Sequence, residues 1–432
     1  MDVFGTGLEA FAGSNPTQMY SEMLQEVLAK GKECTPRGKK IKELSPVLIQ
    51  FLNPLDRVTF LRGRRINPFF QLAEALWIVS GRSDVEFLAA FNENMRSFSD
   101  DGKFFNASYG ERIRYFTKND LHRQVLNPID QLEDAYLKLK ADPDTRQATI
   151  VISNPLFDNY NYTVKEQGKD IACNLVITFK LREGKLNMMV RNRSNDLHWG
   201  LFGANLCQFP TIQELMASWL GVEVGWYAHD TDSLHVYVDD YGYKITNQVL
   251  EAEKKAFGEF PEWAPEHEYP TWKFDQEPRM AMDYETFDHF LGYFWGAVAG
   301  NVISDHIYTQ GNPLDIFEFL NVRSDFISGL DPYWAMTVNA MIAYRLIKLE
   351  YWQEALHVIG AAIPASTWKA SMLYFVHSML VNRLNKAEDS EVEHKFQELM
   401  KQHYELCDEL TEHLSGSAED KAGLLNYLTE VG

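Results

Sequence analysis

Residues 171–196 have the sequence IACNLVITFKLREGKLNMMVRNRSND and predict the central element of the fold. Two runs rich in apolar and β-branched residues flank a short turn that contains Gly184, which is typical of a β-hairpin. Cys173 precedes the first strand, and Arg193 follows the second. We therefore expect the hairpin to bring this thiol and this guanidinium group together.

The pairing of Cys173 with Arg193 is typical of an activated nucleophile. A thiol attacks as the thiolate, and a nearby guanidinium group, which stays charged, lowers the pKa of the thiol. Taken alone, Cys173 would more often be a small buried residue, because free cysteines are among the most buried residue types. The polar residues that follow along the chain favour the catalytic interpretation.

Composition limits the classes of function. The chain has 432 residues, enough for one large domain and a smaller one. Its formal charge of -20 argues against nonspecific binding to nucleic acid, so an anionic substrate would need a local basic pocket. The cysteines are widely spaced and predict neither a metal site nor a disulfide framework. Without a membrane-length apolar run or a secretory signal, we expect no membrane partner and a cytoplasmic location.

Local signals predict the flanking helices and strands. Asn15 and Pro16 begin a helix that Gly31 ends, and Pro68 begins another that runs to Val79. Further predicted elements are a strand over 148–153, a helix over 206–220, a helix after 238 up to 257, and helices over 334–349, 352–361, 368–384 and from 392 onward.

Several short motifs occur in a characteristic order along the chain. They are Arg37, Glu74 in Leu72-Ala73-Glu74-Ala75-Leu76-Trp77, Tyr109-Gly110, Asp142-Pro143-Asp144-Thr145-Arg146, Cys173, Arg193-Ser194-Asn195-Asp196, Asn205 and His235-Val236-Tyr237. Their order and spacing resemble the folate-dependent thymidylate synthase family, which includes the pyrimidine nucleotide hydroxymethylases, including those of phages. The resemblance covers roughly residues 17–295.

The resemblance implies an α/β (α+β) fold. A mixed β-sheet with surrounding helices would occupy residues 1–298, and an all-helical extension would occupy residues 299–432. Segments 272–274 and 283–287 would be the last strands of the catalytic domain. Members of the family transfer one carbon from 5,10-methylenetetrahydrofolate to C5 of a pyrimidine nucleoside monophosphate, as homodimers and without a metal ion. If the chain is phage-encoded, the expected location is the host cytoplasm.

The resemblance implies a catalytic role for five residues: Cys173, Glu74, Tyr109, Arg193 and Asn205. Cys173 would add to C6 of the base, and Tyr109 would help to remove the C5 proton. Glu74 would act through water on O4. Among its apolar neighbours it lies either on the solvated flank of the helix or as a buried carboxyl, and burial there would raise its pKa and allow proton exchange near neutrality. The Asn205 amide would bind O4 and N3–H of uracil, and it also lies where it can cap the following helix.

The remaining implied contacts are with the nucleotide and the folate. The implied nucleotide ligands are Arg37, Arg146, Arg193, Ser194, Asn205, His235 and Tyr237. Arg37 would bind the phosphate, Arg146 would reach the phosphate of the other subunit, and the pair at 235 and 237 would share one strand face and bind the sugar hydroxyl. The implied folate contacts are Asp196, Gly200 and Trp77.

Four departures from the family pattern bear on the product. The paired tryptophans of methylating members are replaced in a region that holds Met95, Phe98 and Phe104, and Gln147 replaces a second arginine. The loop 200–205 is one residue longer than usual, and the short tail that closes over folate is not visible. An altered wall and lid would admit water. This favours 5-hydroxymethylation of dUMP. The alternatives are thymidylate synthesis with another lid, and a noncatalytic binding or assembly protein.

Overall fold

The computed structural model describes residues 8–116, 128–158, 168–258, 268–303 and 326–430. The chain forms two compact units, one from Met1–Arg64 with Glu74–Tyr269 and the other from Arg65–Ala73 with Pro270–Gly432. The domain boundary predicted after residue 298 rests on the family resemblance and stays a prediction.

The first unit contains a larger and a smaller β-sheet. Its strands are β1 (Glu9–Gly13), β2 (Lys32–Cys34), β3 (Ile41–Leu44), β4 (Val47–Phe51), β5 (Thr149–Val151), β6 (Asn174–Arg182), β7 (Lys185–Asn192), β8 (Asn195–Asp196), β9 (Glu223–Thr231) and β10 (Leu234–Tyr237). The strand orders are β1-β4-β9-β7-β6-β5 and β2-β3-β10-β8. Strands run parallel in the pairs β1–β4, β7–β9 and β8–β10 and antiparallel in the other pairs. Both sheets are mixed, as predicted.

The predicted hairpin is confirmed as β6 and β7. The turn consists of Glu183 and Gly184, whose φ angles of 53° and 73° are those of a type I′ turn, the type that matches strand twist. Phe179 and Val190, on facing strands, are fully buried. Because one face of the hairpin is buried, a slip in its register would expose these side chains, so the register is strongly specified.

A bulge near the start of β6 decides which residues meet at the open end of the hairpin. The regular pairing that begins at the turn shifts between Asn174 and Val176. In uninterrupted pairing Cys173 would face Ser194. Because of the shift it faces Arg193, whose backbone N–H donates to the Cys173 carbonyl at 2.9 Å. Such bulges commonly reorient side chains beside active sites.

Helices cover the sheets of the first unit. Those that contribute to it are α1 (Pro16–Lys30), α2 (Pro68–Val79), α3 (Val85–Phe91), α4 (Tyr109–Arg114), α5 (Gln131–Ala141), α6 (Pro155–Asp158), α7 (Leu206–Leu220) and α8 (Asp240–Phe257). The Asn15 side chain accepts the backbone N–H groups of Thr17 and Gln18, which explains why α1 begins there. The sequence predictions for α1, α2, α7 and α8 are confirmed.

The segment Leu197–Asn205, between β8 and α7, forms π-helical turns. A π-turn holds one more residue than an α-helical turn. It therefore accommodates the extra residue predicted in the loop 200–205, and it ends where α7 begins.

The second unit is helical in the part that the structure describes. Its helices are α9 (Tyr284–Tyr293), α10 (Ala299–Ile303), α11 (Pro332–Lys348), α12 (Trp352–Ala362), α13 (Thr367–Leu384), α14 (Ser390–Glu412) and α15 (Ala418–Thr429), with π-helical turns over Phe294–Val298. The predicted helical carboxy-terminal part is confirmed.

The two strands predicted near residues 272–274 and 283–287 are wrong. Asp283 accepts the backbone N–H of Thr286 and thereby begins α9, in which Phe287 and Phe290 are buried three residues apart. Phe274 takes part only in an isolated bridge among the described residues. Helix capping and a helical apolar period over 283–290 overrule the strand that the resemblance implied there.

Two features are absent from the part of the chain that the structure describes. Within these residues no helix is both long and apolar enough to cross a membrane. Over the same ranges, no group of three or more His, Cys, Asp or Glu residues is arranged to hold a metal ion.

Candidate active site

Cys173 and Arg193 lie side by side at the open end of the hairpin. Nη2 of Arg193 is 3.7 Å from Sγ of Cys173. The same guanidinium group donates to the backbone carbonyls of Ala172 at 2.8 Å and Ile171 at 3.2 Å. These bonds fix the head group of the arginine, so its positive charge stays beside the thiol.

The environment of the Cys173 thiol combines burial with positive charge. Burial raises the pKa of Cys173, and the charges of Arg193 and Arg37 oppose that rise. The arginines act with the sign expected from the sequence, but burial outweighs them. The expected pKa below the ordinary value is therefore wrong for this structure, and Arg193 instead limits the cost of forming the thiolate.

A chain of hydrogen bonds links Glu74 to Asn205 through Gln208. Nε2 of Gln208 donates to Oε2 of Glu74 at 2.7 Å, and Nδ2 of Asn205 donates to Oε1 of Gln208 at 3.3 Å. All three residues are buried. Burial raises the pKa of Glu74 to about 7, while the Gln208 hydrogen bond lowers it. The raised pKa expected for this carboxyl is confirmed, and it allows Glu74 to give or take a proton near neutrality.

Asn205 occupies the capping position of α7 but does not cap it through its side chain. Its backbone is helical, and the side chain makes no capping hydrogen bond. The amide instead donates to Gln208. Of the two roles considered for Asn205, capping by its side chain is therefore not seen, and recognition of the base through its amide stays a prediction.

Tyr109, the first residue of α4, lies beside Cys173. Its hydroxyl is hydrogen-bonded to Asn174, and it lies next to the backbone of Cys173. Burial raises the pKa of Tyr109, so the hydroxyl stays protonated at neutral pH. The ring of Tyr109 stacks on Phe209 with centroids 6.4 Å apart. The hydroxyl is thus held near the thiol by both polar and aromatic contacts.

His235 and Tyr237 share one face of β10, as predicted. Their ring centroids are 5.5 Å apart, and Nδ1 of His235 is 3.1 Å from Oγ of Ser233. Burial and the negative charge of Asp196 raise the pKa of Tyr237, and Arg37 lowers it. Arg37 influences both this tyrosine and the thiol, so the structure brings the predicted phosphate ligand into the same region.

Ser194 and Arg146 occupy different positions relative to the thiol. Ser194 directly follows Arg193, and its backbone N–H donates to Oδ1 of Asn192 at 2.6 Å. Arg146 is exposed in the turn after α5, and neighbouring Gln147 is exposed as well. An exposed guanidinium group in a turn is accessible to a second molecule.

Asp196 caps the start of the π-helical turns, and Gly200 lies within them. Oδ1 of Asp196 accepts the backbone N–H of Trp199 at 2.5 Å, and its buried Oδ2 has no hydrogen-bond partner among the described residues. Burial raises the pKa of Asp196. A side chain at Gly200 would meet Oδ1 of Asn195 at 2.3 Å, so the close packing there requires glycine. A carboxylate oxygen without a partner, such as Oδ2 of Asp196, is an acceptor of the kind that the N–H groups of a pterin ring need.

The predicted folate contact at Trp77 is not supported by the structure. The ring is 4 % exposed, packs edge-on against Phe105, and its indole N–H donates to the carbonyl of Asp84 at 3.1 Å. Trp77 is a core residue of α2, where little of its ring could touch a ligand. Exposed aromatic surface lies instead at Phe98, which is 58 % exposed, and Phe104, which is 55 % exposed.

Sequence reasoning missed two polar contacts of the site. One is Gln208, one turn into α7 from Asn205 and bonded to Glu74. The other is the pair Asn174 and Asn192 at the strand ends, joined by a 2.7 Å bond from Nδ2 of Asn192 to Oδ1 of Asn174. A glutamine three positions after an asparagine, which places both side chains on one face of the helix, was the available signal.

The raised pKa of Glu74 predicts a pH-dependent contribution to stability. The folded state favours the protonated carboxyl, so the unfolded chain loses this proton at lower pH, and Glu74 becomes destabilising as pH rises from about 4.5 to about 7. The unfolding free energy of the wild type relative to Glu74→Gln should therefore fall by roughly 3 kcal/mol between pH 4.5 and pH 8. Urea denaturation at several pH values measures it. A difference that does not change with pH would contradict a buried, neutral Glu74.

Comparison with known proteins agrees with this geometry. The family model described as thymidylate synthase matches residues 18–277. The chain is 47% identical over 378 residues, 87% of this chain and 95% of the other, to a protein of Bacillus phage SP01 named deoxyuridylate hydroxymethyltransferase. A protein of the same name from Pseudomonas phage M6 is 37% identical over 52% of this chain and 60% of its own. A thymidylate synthase of Corynebacterium aurimucosum is 24% identical over 63% of this chain and 92% of its own. The chain belongs to the thymidylate synthase family.

Proposed function

We propose that this protein is a transferase that hydroxymethylates C5 of the uracil base of dUMP, with 5,10-methylenetetrahydrofolate as co-substrate. The observation that carries the proposal is the Cys173 thiol held 3.7 Å from the Arg193 guanidinium group. The similarity to phage proteins named deoxyuridylate hydroxymethyltransferase supports the choice of base and product.

The first role of the protein is to activate C5 of the base. Sγ of Cys173 would add to C6, and the resulting negative charge on O4 would be stabilised by the Asn205 amide and by water held at Glu74. Arg193 would support the thiolate before attack and after release. Tyr109 lies near the thiol and would assist the departure of the C5 proton.

Binding residues would surround this centre. Arg37 and Arg193 would hold the phosphate, Ser194 would add a hydroxyl donor, and His235 with Tyr237 would bind the sugar. When bound, methylenetetrahydrofolate supplies one carbon at the oxidation level of formaldehyde. Asp196 would orient it by accepting pterin N–H groups at Oδ2, which has no hydrogen-bond partner among the described residues, and Gly200 would allow the ring to approach closely.

Water decides the product. After folate departs, the base carries an exocyclic methylene group at C5; hydroxide from water adds to this carbon while the C6–S bond to Cys173 breaks. The balance is dUMP, methylenetetrahydrofolate and water giving 5-hydroxymethyl-dUMP and tetrahydrofolate. The exposed Phe98 and Phe104 stand in the region of the paired tryptophans of methylating relatives, which supports access of water.

Mass spectrometry of the reaction products tests this proposal. Purified protein with methylenetetrahydrofolate and dUMP should add one CH2O to the nucleotide and release tetrahydrofolate, whereas dCMP should react poorly because Asn205 matches uracil. Cys173→Ala should lose activity by a factor of about 10³ or more, as expected for loss of a covalent nucleophile. A gain of CH2 with dihydrofolate would replace the proposal with thymidylate synthesis, and no product at all would favour a noncatalytic role.

We also propose that two copies of the chain share their phosphate sites and that the dimer works in the cytoplasm, where nucleotide pools are found. Exposed Arg146 would bind the phosphate held by the other subunit. Because Gln147 stands in place of a second arginine, Arg146 should supply a larger share of the phosphate binding between subunits than it would in a relative with both arginines.

Complementation between two inactive variants tests the shared site. Arg146→Ala and Cys173→Ala should each be nearly inactive alone, but refolding them together should restore about a quarter of wild-type activity, because half of the dimers are mixed and each contains one intact site. Lys140→Ala, an exposed neighbour on α5, is the matched control for Arg146→Ala and should stay active. No recovery on mixing would contradict a shared site.

A further inference from the structure

Gln208 lies between the two side chains that would recognise the base. It is 5 % exposed and bonded on one side to Glu74 and on the other to Asn205, with donor–acceptor distances of 2.7 Å and 3.3 Å. Neither of these bonds was expected from the sequence. The direction of each bond has a chemical consequence.

The hydrogen bonds orient both amides. Oε2 of Glu74 accepts whether the carboxyl is ionised or carries its proton on Oε1, so Gln208 turns its NH2 group toward Glu74 and its carbonyl toward Asn205. Asn205 must then turn its own NH2 group toward that carbonyl. If Asn205 flipped, two carbonyl oxygens would face each other; if Gln208 flipped as well, its carbonyl would face the accepting Oε2 of Glu74.

The orientation of Asn205 decides which base it matches. The fixed amide presents a remaining N–H on the side of Gln208 and a carbonyl on the other side, which complements O4 and N3–H of uracil. Cytosine presents a donor at N4 and an acceptor at N3, the reverse pattern. The orientation imposed through Gln208 therefore pairs with uracil and sets donor against donor and acceptor against acceptor for cytosine.

We propose that Gln208 is a positioning residue that selects uracil over cytosine by fixing the orientation of the Asn205 amide through its bond to Glu74. The proposal rests on the proposed function, because it concerns the base bound at the same site. It adds a residue outside direct contact with the base and explains why a long amide side chain is buried on α7.

A neighbouring glutamine offers a matched control. Gln213 lies on the same helix, is fully buried, and donates through Nε2 to the backbone carbonyls of Leu186 at 2.8 Å and Trp226 at 3.0 Å. These bonds join α7 to β7 and β9 and involve neither Glu74 nor Asn205. Gln213→Met should therefore lower stability without changing the choice of base.

Calorimetric titration of dUMP and dCMP into wild type, Gln208→Met and Gln208→Glu tests the proposal without folate or turnover. Gln208→Met removes both hydrogen bonds at similar volume, and the ratio of the two dissociation constants should shrink about tenfold toward one, the effect of about one hydrogen bond. Gln208→Glu keeps an acceptor facing Asn205, so it should keep the preference for dUMP over dCMP in the same titration.

The outcomes separate the two proposals. Selective dUMP binding by wild type and by Gln213→Met, with loss of selectivity in Gln208→Met, supports the role of Gln208. Unchanged selectivity in a folded Gln208→Met overturns it and leaves the proposed function intact. An equal loss of selectivity in Gln213→Met would show that the effect is merely structural, and it would overturn the role of Gln208 as well. A wild type that binds neither nucleotide, or both equally, overturns the role of Gln208, and binding of neither also removes the proposed function.

Discussion

The site depends on the register of one hairpin. The type I′ turn at Glu183 and Gly184 fixes the pairing of β6 with β7, and the buried faces of both strands prevent a slip. The bulge after Asn174 then changes the pairing by one residue, so Arg193 rather than Ser194 meets Cys173. This one-residue shift therefore decides whether the Cys173 thiol lies beside the guanidinium group of Arg193.

Burial raises the pKa of both central acids, Glu74 and Cys173, but the consequence for catalysis differs. It raises the pKa of Glu74 to about 7, which suits a group that exchanges protons with water at the base. It also raises the pKa of Cys173, where a thiolate is needed, and there Arg193 and Arg37 oppose the cost. The same apolar surroundings thus serve proton transfer at one residue and require fixed positive charge at the other.

The sequence predicted those features that depend on local signals. The hairpin followed from alternating β-rich runs around Gly184, and α1 followed from the Asn15 cap. The bulge could not be predicted, because it depends on how β6 pairs with its neighbours. Trp77 was assigned to the folate by its place in a motif, and burial shows it in the core. Gln208 was missed because its role appears only when Glu74, distant in sequence, lies beside it.

The central claim is that Cys173 attacks C6 of a uracil nucleotide, and trapping the adduct tests it most directly. With 5-fluoro-dUMP and methylenetetrahydrofolate, the fluorine cannot leave as the C5 proton does, so the covalent complex should persist under denaturation. Peptide mass spectrometry should find both groups attached at Cys173 and none in Cys173→Ala. Buried Cys207, whose pKa burial raises to about 12, should stay unmodified. An unmodified Cys173 in protein that binds the nucleotide, or an adduct at another residue, would contradict the account.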